Sequence, residues 1–290
     1  MTIFNLGSIN ADLFYRVPHL PGPGETLAAR SFRRGLGGKG ANMSVAAARA
    51  GARCVHIGAV GPDGGWAVER LMEYGVYTQY ILTVSTDTGN ALIAIDDAGE
   101  NNIILYPGAN QALPQDHISA ALGDAQSTDI FLTQNETNGQ REAVEMASAR
   151  GLRVAYAAAP FDAQAVQAVL PMLDMLFLNE VEARQLQEAS GLAPEVLPVR
   201  DVIVTLGGDG ARWHNTDTGQ TQVFPAVKVT PVDTTGAGDT FTGYVLAGLD
   251  RGLPMDQAIG QAMIAGAIMV TRQGTADVIP DLRDVQDFGG

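Results

Sequence analysis

The sequence predicts an α/β protein in which helices cover a parallel β-sheet. Short β-branched runs alternate with alanine-rich stretches along most of its 290 residues. Runs such as Met175–Leu178 and Val202–Thr205 are continuous and almost entirely apolar, which is typical of strands buried on both faces. Because strands that alternate with helices form βαβ units, we expect the strands to pair in parallel.

Each predicted element follows from a local pattern, and the whole chain, residues 1–290, is expected to form one domain. The predicted strands are Ile3–Leu6, Arg53–Ala59, Asp129–Leu132, Arg153–Tyr156, Met175–Leu178 and Val202–Thr205. The predicted helices between them are Ala41–Ala50, Gly65–Tyr74, Gly139–Ala149, Asp162–Leu170 and Glu180–Glu188.

Two segments interrupt this alternation and predict a second, smaller sheet. Ala91–Ile95 and Asn102–Tyr106 flank a turn-rich loop and form a predicted hairpin. Asp12–Val17 and Thr26–Arg33 are two further predicted strands, separated by several prolines and glycines. Such a sheet would project from the main domain as a lid over a cleft, as a dimerisation surface, or as both.

The charge balance excludes several classes of partner. Lysine and arginine total 18 against 32 acidic residues, a formal net charge of -14. The chain should therefore repel a nucleic-acid backbone and an anionic membrane surface. Its single cysteine, Cys54, excludes an intrachain disulfide. The N-terminus lacks the basic and apolar regions of a signal peptide, so we expect a cytoplasmic protein.

A glycine-rich segment at Gly35–Asn42 matches the GxGxxG pattern but is not expected to bind a dinucleotide. That pattern should follow an apolar strand, whereas Arg30–Arg34 is mostly charged. The phosphate-binding P-loop pattern also fails, because Gly40 follows Lys39 where serine or threonine is required. The segment is then a glycine-rich turn before a helix. It is either a bare turn or a close approach of the backbone to a ligand.

A second glycine cluster opens a predicted helix within Asp233–Phe241. The Gly236–Gly238 backbone would present successive N–H groups at the helix N-terminus, which is an anion site by geometry and dipole. Such a site needs no basic side chain, which suits an acidic protein. In the alternative interpretation, Asp239 only caps the helix and Asp233 only forms a turn.

A third segment, Asn179–Glu182, directly follows a predicted strand. Asn followed three residues later by Glu predicts a capping box at a helix start. The same position at the carboxyl end of a strand is also where α/β proteins bind ligands. Both interpretations remain open from these residues alone.

Taken in chain order, these segments resemble the PfkB family of carbohydrate kinases and its ribokinase-like members. The motifs that carry the resemblance are Gly-Gly-Lys-Gly-Ala-Asn at 37–42, Asn-x-x-Glu at 179–182 and Asp-Thr-Thr-Gly-Ala-Gly-Asp at 233–239. The resemblance implies a doubly wound, mostly parallel sheet flanked by helices, with a small β-sheet lid from about 11–36 and 90–107. It also implies ATP-dependent transfer of the γ-phosphoryl group to a primary hydroxyl of a small sugar, O5 in ribose.

The resemblance further implies the residues of the reaction and of the sugar site. Asp239 matches the family's catalytic base, and the backbone of Gly236, Ala237 and Gly238 matches its anion hole. The implied sugar-binding residues are Asn10, Asp12, Gly38, Lys39, Asn42 and Glu136. Carboxylates and amides suit a polyol, because they accept from and donate to several hydroxyls at once.

Cofactor-binding residues are implied in the same way. Asn179 and Glu182 match the pair that organises Mg²⁺ and the phosphates of ATP. The implied nucleotide loop contains Thr205, Gly207, Gly208 and Gly210. The implied loop for a monovalent cation, K⁺, contains Asp233, Thr235, Arg272 and Gly274. One departure affects this loop, because Val278 stands where ribokinases tend to supply a serine hydroxyl, and valine cannot coordinate.

Ribose is the expected substrate, because Lys39 and the start of the lid are ribokinase-like. Within the enzyme class, the alternatives are fructose, a keto-deoxy sugar acid and a nucleoside such as pseudouridine. A sugar-binding regulator without catalysis is the alternative of another class, and an intact Asp239 beside an intact glycine cluster argues against it. Projecting lid strands with exposed edges invite pairing, and the resemblance points to a homodimer through the lid.

Overall fold

The computed structural model describes residues 1–288 and contains two β-sheets. The strands are β1 (Ile3–Leu6), β2 (Asn10–Arg16), β3 (Ser31–Gly37), β4 (Cys54–Val60), β5 (Tyr77–Thr83), β6 (Gly89–Ile95), β7 (Asn101–Tyr106), β8 (Ile130–Gln134), β9 (Arg153–Ala157), β10 (Met175–Asn179), β11 (Asp201–Thr205), β12 (Gly210–Asn215) and β13 (Gln220–Pro225). The helices are α1 (Lys39–Arg49), α2 (Gly65–Glu73), α3 (Gln115–Gly123), α4 (Gln140–Ala149), α5 (Ala163–Val169), α6 (Glu180–Ser190), α7 (Ala237–Asp250), α8 (Met255–Val270) and α9 (Leu282–Phe288).

The larger sheet has nine strands in the order β13-β12-β11-β10-β9-β8-β1-β4-β5. All pairs from β11 to β5 are parallel, and β12 and β13 add an antiparallel edge. The strands β1, β4, β8 and β9 are almost entirely buried, because helices cover both faces of the sheet. The predicted α/β class and mostly parallel sheet are therefore confirmed.

Two separate apolar cores hold the helices against the sheet. Helices α1, α2, α7, α8 and α9 contribute to the core on one face. Helices α3 to α6 contribute to the core on the other. Helices on both faces of a parallel sheet are the doubly wound arrangement that the resemblance implied. None of the helices within residues 1–288 combines the length and the apolar character needed to cross a bilayer.

The smaller sheet has four strands in the order β3-β2-β6-β7, and we call it the lid sheet. Its central strands pair in parallel, and Asp12 lies opposite Ala91 in β6 and Gly35 in β3. Strand β7 lies at the edge, and all six of its residues are exposed. Residues opposite one another share a face, so Leu92 and Ile104 lie on the face away from Asp12.

Three strands of the lid sheet lie within two residues of their predicted boundaries, and one departs further. The predicted strand Thr26–Arg33 was wrong by about five residues, because β3 covers Ser31–Gly37. Gly35 and Gly37 are therefore strand residues, and the turn expected there is confined to Gly38, which has a φ of +92°. Helix α1 accordingly begins at Lys39, two residues earlier than expected, so Asn42 lies inside the helix.

Candidate active site

Asp239 lies in the first turn of α7, and its carboxylate is buried. The Asn42 side-chain amide donates from Nδ2 to Asp239 Oδ2 at 2.8 Å. Asn42 is itself buried, and within residues 1–288 its Oδ1 accepts no hydrogen bond. The structure thus brings the expected base together with a residue of the expected sugar site, across 197 residues of chain.

The glycine-rich segment before α1 is shaped by backbone contacts. A Cβ at Gly40 would lie 2.4 Å from the Cα of Gly7, and one at Gly38 would lie 3.0 Å from the Ser8 carbonyl oxygen. The start of α1 therefore rests directly on the chain that leaves β1. Asn5 supports this contact, because its Nδ2 donates to the Gly40 carbonyl at 2.8 Å. Close backbone approach does explain the glycines at Gly38 and Gly40, and the neighbour is the protein itself.

Glu136 follows β8 and joins the same edge of the sheet. Its Oε2 accepts hydrogen bonds from the Lys39 backbone N–H at 3.0 Å and from the Ser8 hydroxyl. Burial raises the pKa of Glu136, and the positive charge of Lys39 opposes that rise. The pKa of Lys39 is raised above its ordinary value, chiefly by Asp239 and further by Glu136 and Glu182. One ammonium group thus lies within the field of three carboxylates at the site.

Asn10 and Asp12 lie at the start of β2, at the base of the lid sheet. Asn10 Oδ1 accepts from Asn110 Nδ2 at 2.7 Å, and Asn110 Oδ1 accepts from the Ile9 backbone N–H at 2.9 Å. Asn110 therefore orients Asn10, and in the sequence it ends the Gly108-Ala109-Asn110 run that follows the predicted hairpin. Burial raises the pKa of Asp12 from 3.8 to about 7.

Asn179 and Glu182 form the capping box that their spacing predicted. Asn179 Oδ1 accepts from the Glu182 N–H at 2.8 Å, and Glu182 Oε2 accepts from the Asn179 N–H at 2.8 Å. Both residues also stand at the carboxyl end of β10, at the edge where α/β proteins bind ligands. Burial raises the pKa of Glu182, and Asp239 adds to that rise. The capping interpretation is confirmed, and the position of the pair is also compatible with a ligand site.

A cavity of about 490 Å³ lies between the loop after β11, the start of α7 and one face of α8. Its lining includes all four residues of the expected nucleotide loop, namely Thr205, Gly207, Gly208 and Gly210. Ala237 and Gly238 from the expected anion hole line it as well. The cavity therefore connects the expected nucleotide loop with the helix that carries Asp239.

Sequence reasoning missed the rest of this lining. The segment from Ala226 to Val229 follows β13, and Ala262, Gly266 and Val270 lie one turn apart on α8. Their spacing of four residues marks one face of a helix, but such a stripe is more often core than cavity wall. Small side chains at the first two of these positions leave the space that the cavity occupies.

The start of α7 presents the backbone donors of the expected anion hole. Gly236 has a φ of +77°, which favours glycine. The Ala237 N–H donates to the Thr234 carbonyl at 3.2 Å, and the first helical bond runs from Thr240 N–H to the Gly236 carbonyl at 2.9 Å. Between these two lie the N–H groups of Gly238 and Asp239, which precede the helical ladder and are the donors at this helix end.

The residues of the expected cation loop also come together. Asp233 Oδ1 accepts from the Thr235 N–H at 3.0 Å, and Asp233 Oδ2 accepts from the Gly274 N–H at 3.2 Å. The Arg272 guanidinium instead donates to the Val278 carbonyl and to Asp284, both at 3.2 Å. Across residues 1–288, no three His, Cys, Asp or Glu side chains gather where they could hold a metal ion. Among the four expected residues, the side-chain oxygens are therefore the Asp233 carboxylate, which backbone N–H groups already engage, and the Thr235 hydroxyl.

Comparisons with known proteins agree with the fold. The model of the pfkB family carbohydrate kinases matches residues 2–282. Ribokinase of Haemophilus influenzae is 33% identical over 302 residues, which cover 99% of this chain and 98% of that protein. The structure of Thermotoga maritima ribokinase has a TM-score of 0.89 at 33% identity, covering 99% of this chain and 98% of that one. The structure of Arabidopsis thaliana ribokinase complexed with ribose and ATP has a TM-score of 0.87 at 26% identity, covering 99% of this chain and 97% of that one.

A family model that spans nearly the whole chain and a full-length relative of this identity lead to one conclusion, that the chain belongs to the pfkB family of carbohydrate kinases.

Proposed function

We propose that the protein transfers the γ-phosphoryl group of ATP to the O5 hydroxyl of ribose. The observation that carries this proposal is the position of Asp239. Its carboxylate bonds Asn42 of the sugar site, and it belongs to the same helix turn as Ala237 and Gly238, which line the 490 Å³ cavity. A group at that junction can meet both a sugar hydroxyl and a nucleotide phosphate.

The polar groups around Asn42 support a polyol as the acceptor. Asn42 Oδ1 is a buried acceptor with no partner among residues 1–288, and a sugar hydroxyl would supply one. We assign Asn10, Asp12, Gly38, Lys39, Asn42 and Glu136 to the sugar. Ala91 lies opposite Asp12 in the lid sheet, so we add it as a small residue that covers the sugar. Full-length similarity to ribokinases at 33% identity favours ribose over the other acceptors.

On the nucleotide side, we assign Thr205, Gly207, Gly208 and Gly210 to ATP. The apolar residues of α8 that line the same cavity suit a purine base. Mg²⁺ keeps several waters and takes one or two carboxylates besides phosphate oxygens, so Glu182 with Asn179 is a donor set that fits it. When bound, the ion neutralises phosphate charge. The Lys39 ammonium, close enough to Asp239 and Glu182 for both to raise its pKa, adds positive charge nearby.

In the proposed reaction, Asp239 takes the proton of the sugar hydroxyl as its oxygen forms a bond to the γ-phosphorus. The bond between that phosphorus and the β–γ bridging oxygen breaks, and ADP leaves with the bond's electron pair. Asn42 holds Asp239 Oδ2, so the other carboxylate oxygen is the one that faces the proton. Of the expected anion hole of Gly236, Ala237 and Gly238, the Ala237 N–H is engaged by Thr234, so the N–H groups of Gly238 and Asp239 at the helix start stabilise charge on the transferring group.

Potassium has no step in this mechanism. We assign Asp233, Thr235, Arg272 and Gly274 to the cation loop. Their ligands to the ion would be backbone carbonyl oxygens and the Asp233 carboxylate. Val278 adds no donor, and its Cγ1 lies 3.3 Å from where a Cβ on Gly274 would be. We therefore expect any bound potassium to act on the stability of this loop.

We also propose that two copies pair through the lid sheet. Its face away from Asp12 exposes four large apolar side chains, and Ile104 on the edge strand β7 is 62% exposed. These side chains are Phe32, Leu92, Ile104 and Tyr106. An exposed apolar edge of this kind is a template for pairing.

The first experiment is ADP release from Mg-ATP with ribose, fructose, 2-keto-3-deoxygluconate, adenosine, pseudouridine and no acceptor. Release that depends on ribose is the expected result. ADP release with another acceptor would support a kinase but show that its substrate is not ribose. Binding of a sugar with no ADP release from any acceptor would instead support a regulator.

A further inference from the structure

Thr275 connects the loop after α8 to the sugar-binding end of β2. It follows Gly274 and is 3% exposed. Its hydroxyl lies 2.8 Å from the Leu36 carbonyl oxygen in β3 and 3.3 Å from Asp12 Oδ2 in β2. The contact with Asp12 spans 263 residues, so local sequence gives no sign of it.

The Asp12 carboxyl group packs closely against the backbone of strand β3. A Cβ on Gly37 would lie 2.1 Å from Asp12 Oδ2, so the carboxyl group lies directly against the Gly37 backbone. Asp12 is 6% exposed. In the part of the chain that the structure describes, Thr275 supplies the single hydrogen bond to the Asp12 side chain. The orientation of the Asp12 carboxylate is therefore fixed by the Thr275 hydroxyl and by contact with the Gly37 backbone of β3.

We propose that Thr275 is a positioning residue for sugar binding, which fixes the Asp12 carboxylate so that Oδ1 faces a sugar hydroxyl. The inference rests on the proposed function, because it takes Asp12 as a sugar ligand. Thr275 bonds Oδ2 and leaves Oδ1 as the free oxygen. The loop that carries Thr275 also bonds Asp233 through Gly274, so the sugar carboxylate is tied to the loop beside the start of α7.

A purely structural role predicts a different result from a positioning role. The single proton of the Thr275 hydroxyl is shared between Asp12 Oδ2 and the Leu36 backbone carbonyl, and losing the bond to the carbonyl would cost stability without touching the sugar. Thr133 offers a matched control, because within residues 1–288 its buried hydroxyl donates only to a backbone carbonyl, that of Leu6, at 2.9 Å. Valine keeps the shape of threonine at both positions and removes the hydroxyl.

The test compares Thr275→Val, Thr275→Ser and Thr133→Val by steady-state kinetics, with thermal unfolding to verify the fold. At pH 8, where the Asp12 carboxyl group is largely ionised, a hydrogen bond to a charged group implies that Thr275→Val raises the KM for ribose by about 10- to 100-fold, with kcat and the KM for ATP little changed. Thr275→Ser should restore the KM for ribose. Thr133→Val should lower the melting temperature and leave the KM for ribose unchanged.

A double-mutant cycle with Asp12→Asn then identifies the partner. If Thr275 acts through Asp12, Thr275→Val should have little further effect on kcat/KM for ribose once Asp12 is replaced. An unchanged KM in Thr275→Val, a failure of serine to restore it, or equal losses in both backgrounds would overturn the inference. Absence of ribose-dependent ADP release from the unaltered protein would instead overturn the proposed substrate.

Discussion

Asn42 and Asp239 share a buried hydrogen bond of 2.8 Å that joins α1 to α7. One helix begins at the glycine-rich segment before Asn42, and the other begins at the glycine cluster before Asp239. The bond therefore links the starts of two helices that carry the two glycine motifs of the sequence. It also engages Asp239 Oδ2, so Oδ1 is the oxygen left for the proposed proton transfer.

Replacing Asp239 with asparagine should remove the proton acceptor and leave the fold intact. We expect kcat to fall by about 10²- to 10⁴-fold, with little change in the KM for ribose, because a positioned base contributes that much. ADP release measures this directly. Asp256→Asn is the matched control, because Asp256 is an exposed carboxylate in the first turn of α8, and it should retain activity. If Asp239→Asn left kcat unaltered, another residue would have to be the catalytic base.

Replacing Gly37 with alanine should displace Asp12, because the new Cβ would lie 2.1 Å from its carboxylate. A displacement of this kind is expected to lower kcat/KM for ribose by about 10²-fold. Gly35→Ala is the control on the same strand, where the nearest atom to a Cβ is Phe14 at 3.5 Å. If both alanine variants lowered kcat/KM equally, the loss would come from a disturbed β3 strand and not from a displaced Asp12.

Asp12 should make the stability of the protein depend on pH. Its pKa rises from 3.8 to about 7 on folding, so the folded state holds a proton that the unfolded state releases from about pH 4 upward. Stability is therefore lost as pH rises from about 4 to 7, by roughly 4 kcal/mol for a shift of this size. Asp12→Asn should be more stable than the unaltered protein at pH 8 and similar to it at pH 4. Denaturant unfolding at the two pH values measures this, and a difference that is the same at both would contradict it.

The lid sheet should control the oligomeric state. Sedimentation at micromolar concentration is expected to show a dimer, and Ile104→Asp should convert it to a monomer, because a charge in an apolar interface is costly. Val223→Asp serves as the control, because Val223 is 57% exposed on β13, the edge strand of the larger sheet. A monomer in the unaltered protein would show that the exposed lid face serves another purpose.

Potassium should change the rate of ADP release little relative to sodium, because Val278 provides no oxygen. Val278→Ser should increase the potassium response, whereas Val278→Ala, which removes the same bulk without adding a hydroxyl, should not. Strong activation of the unaltered protein by potassium would mean that backbone carbonyls and Asp233 suffice for the cation.

Local patterns predicted the elements that are apolar throughout or periodic. Strand β1 was predicted with its exact limits, and β10 and β11 within one residue of theirs, because continuous apolar runs mark buried parallel strands. Strand β13 was missed, since its exposed edge position allows polar residues such as Gln220 and Gln222, and the neighbouring strand β12 was missed with it. Strand β3 was misplaced because glycine disfavours strands, whereas Gly37 is needed there to make room for Asp12.

Residues that lie far apart in sequence limited the prediction of the site. The motifs identified Asp239, Asn42 and the capping pair, because each stands in a recognisable local pattern. Thr275 and the α8 wall of the cavity have no such pattern, since their role comes only from what packs against them. Lys39 lies between these two cases, because part of its role could be predicted from the sequence. The sequence indicated its motif, but only folding brings it near carboxylates from three separate elements.

Because β2 carries Asn10 and Asp12 at one end, a rotation of the lid sheet about that end moves its far end much more than it moves these two residues. Asn10 and Asp12 stand at the end of β2 that leaves the main sheet, and Arg16 stands at the far end. Six steps of about 3.3 Å place Arg16 roughly 20 Å from Asn10. A rotation of about 10° around Asn10 then moves Arg16 by about 3.5 Å but Asp12 by only about 1 Å. A rotation of the lid sheet about this end would therefore open its tip widely and leave the residues proposed to bind the sugar nearly still.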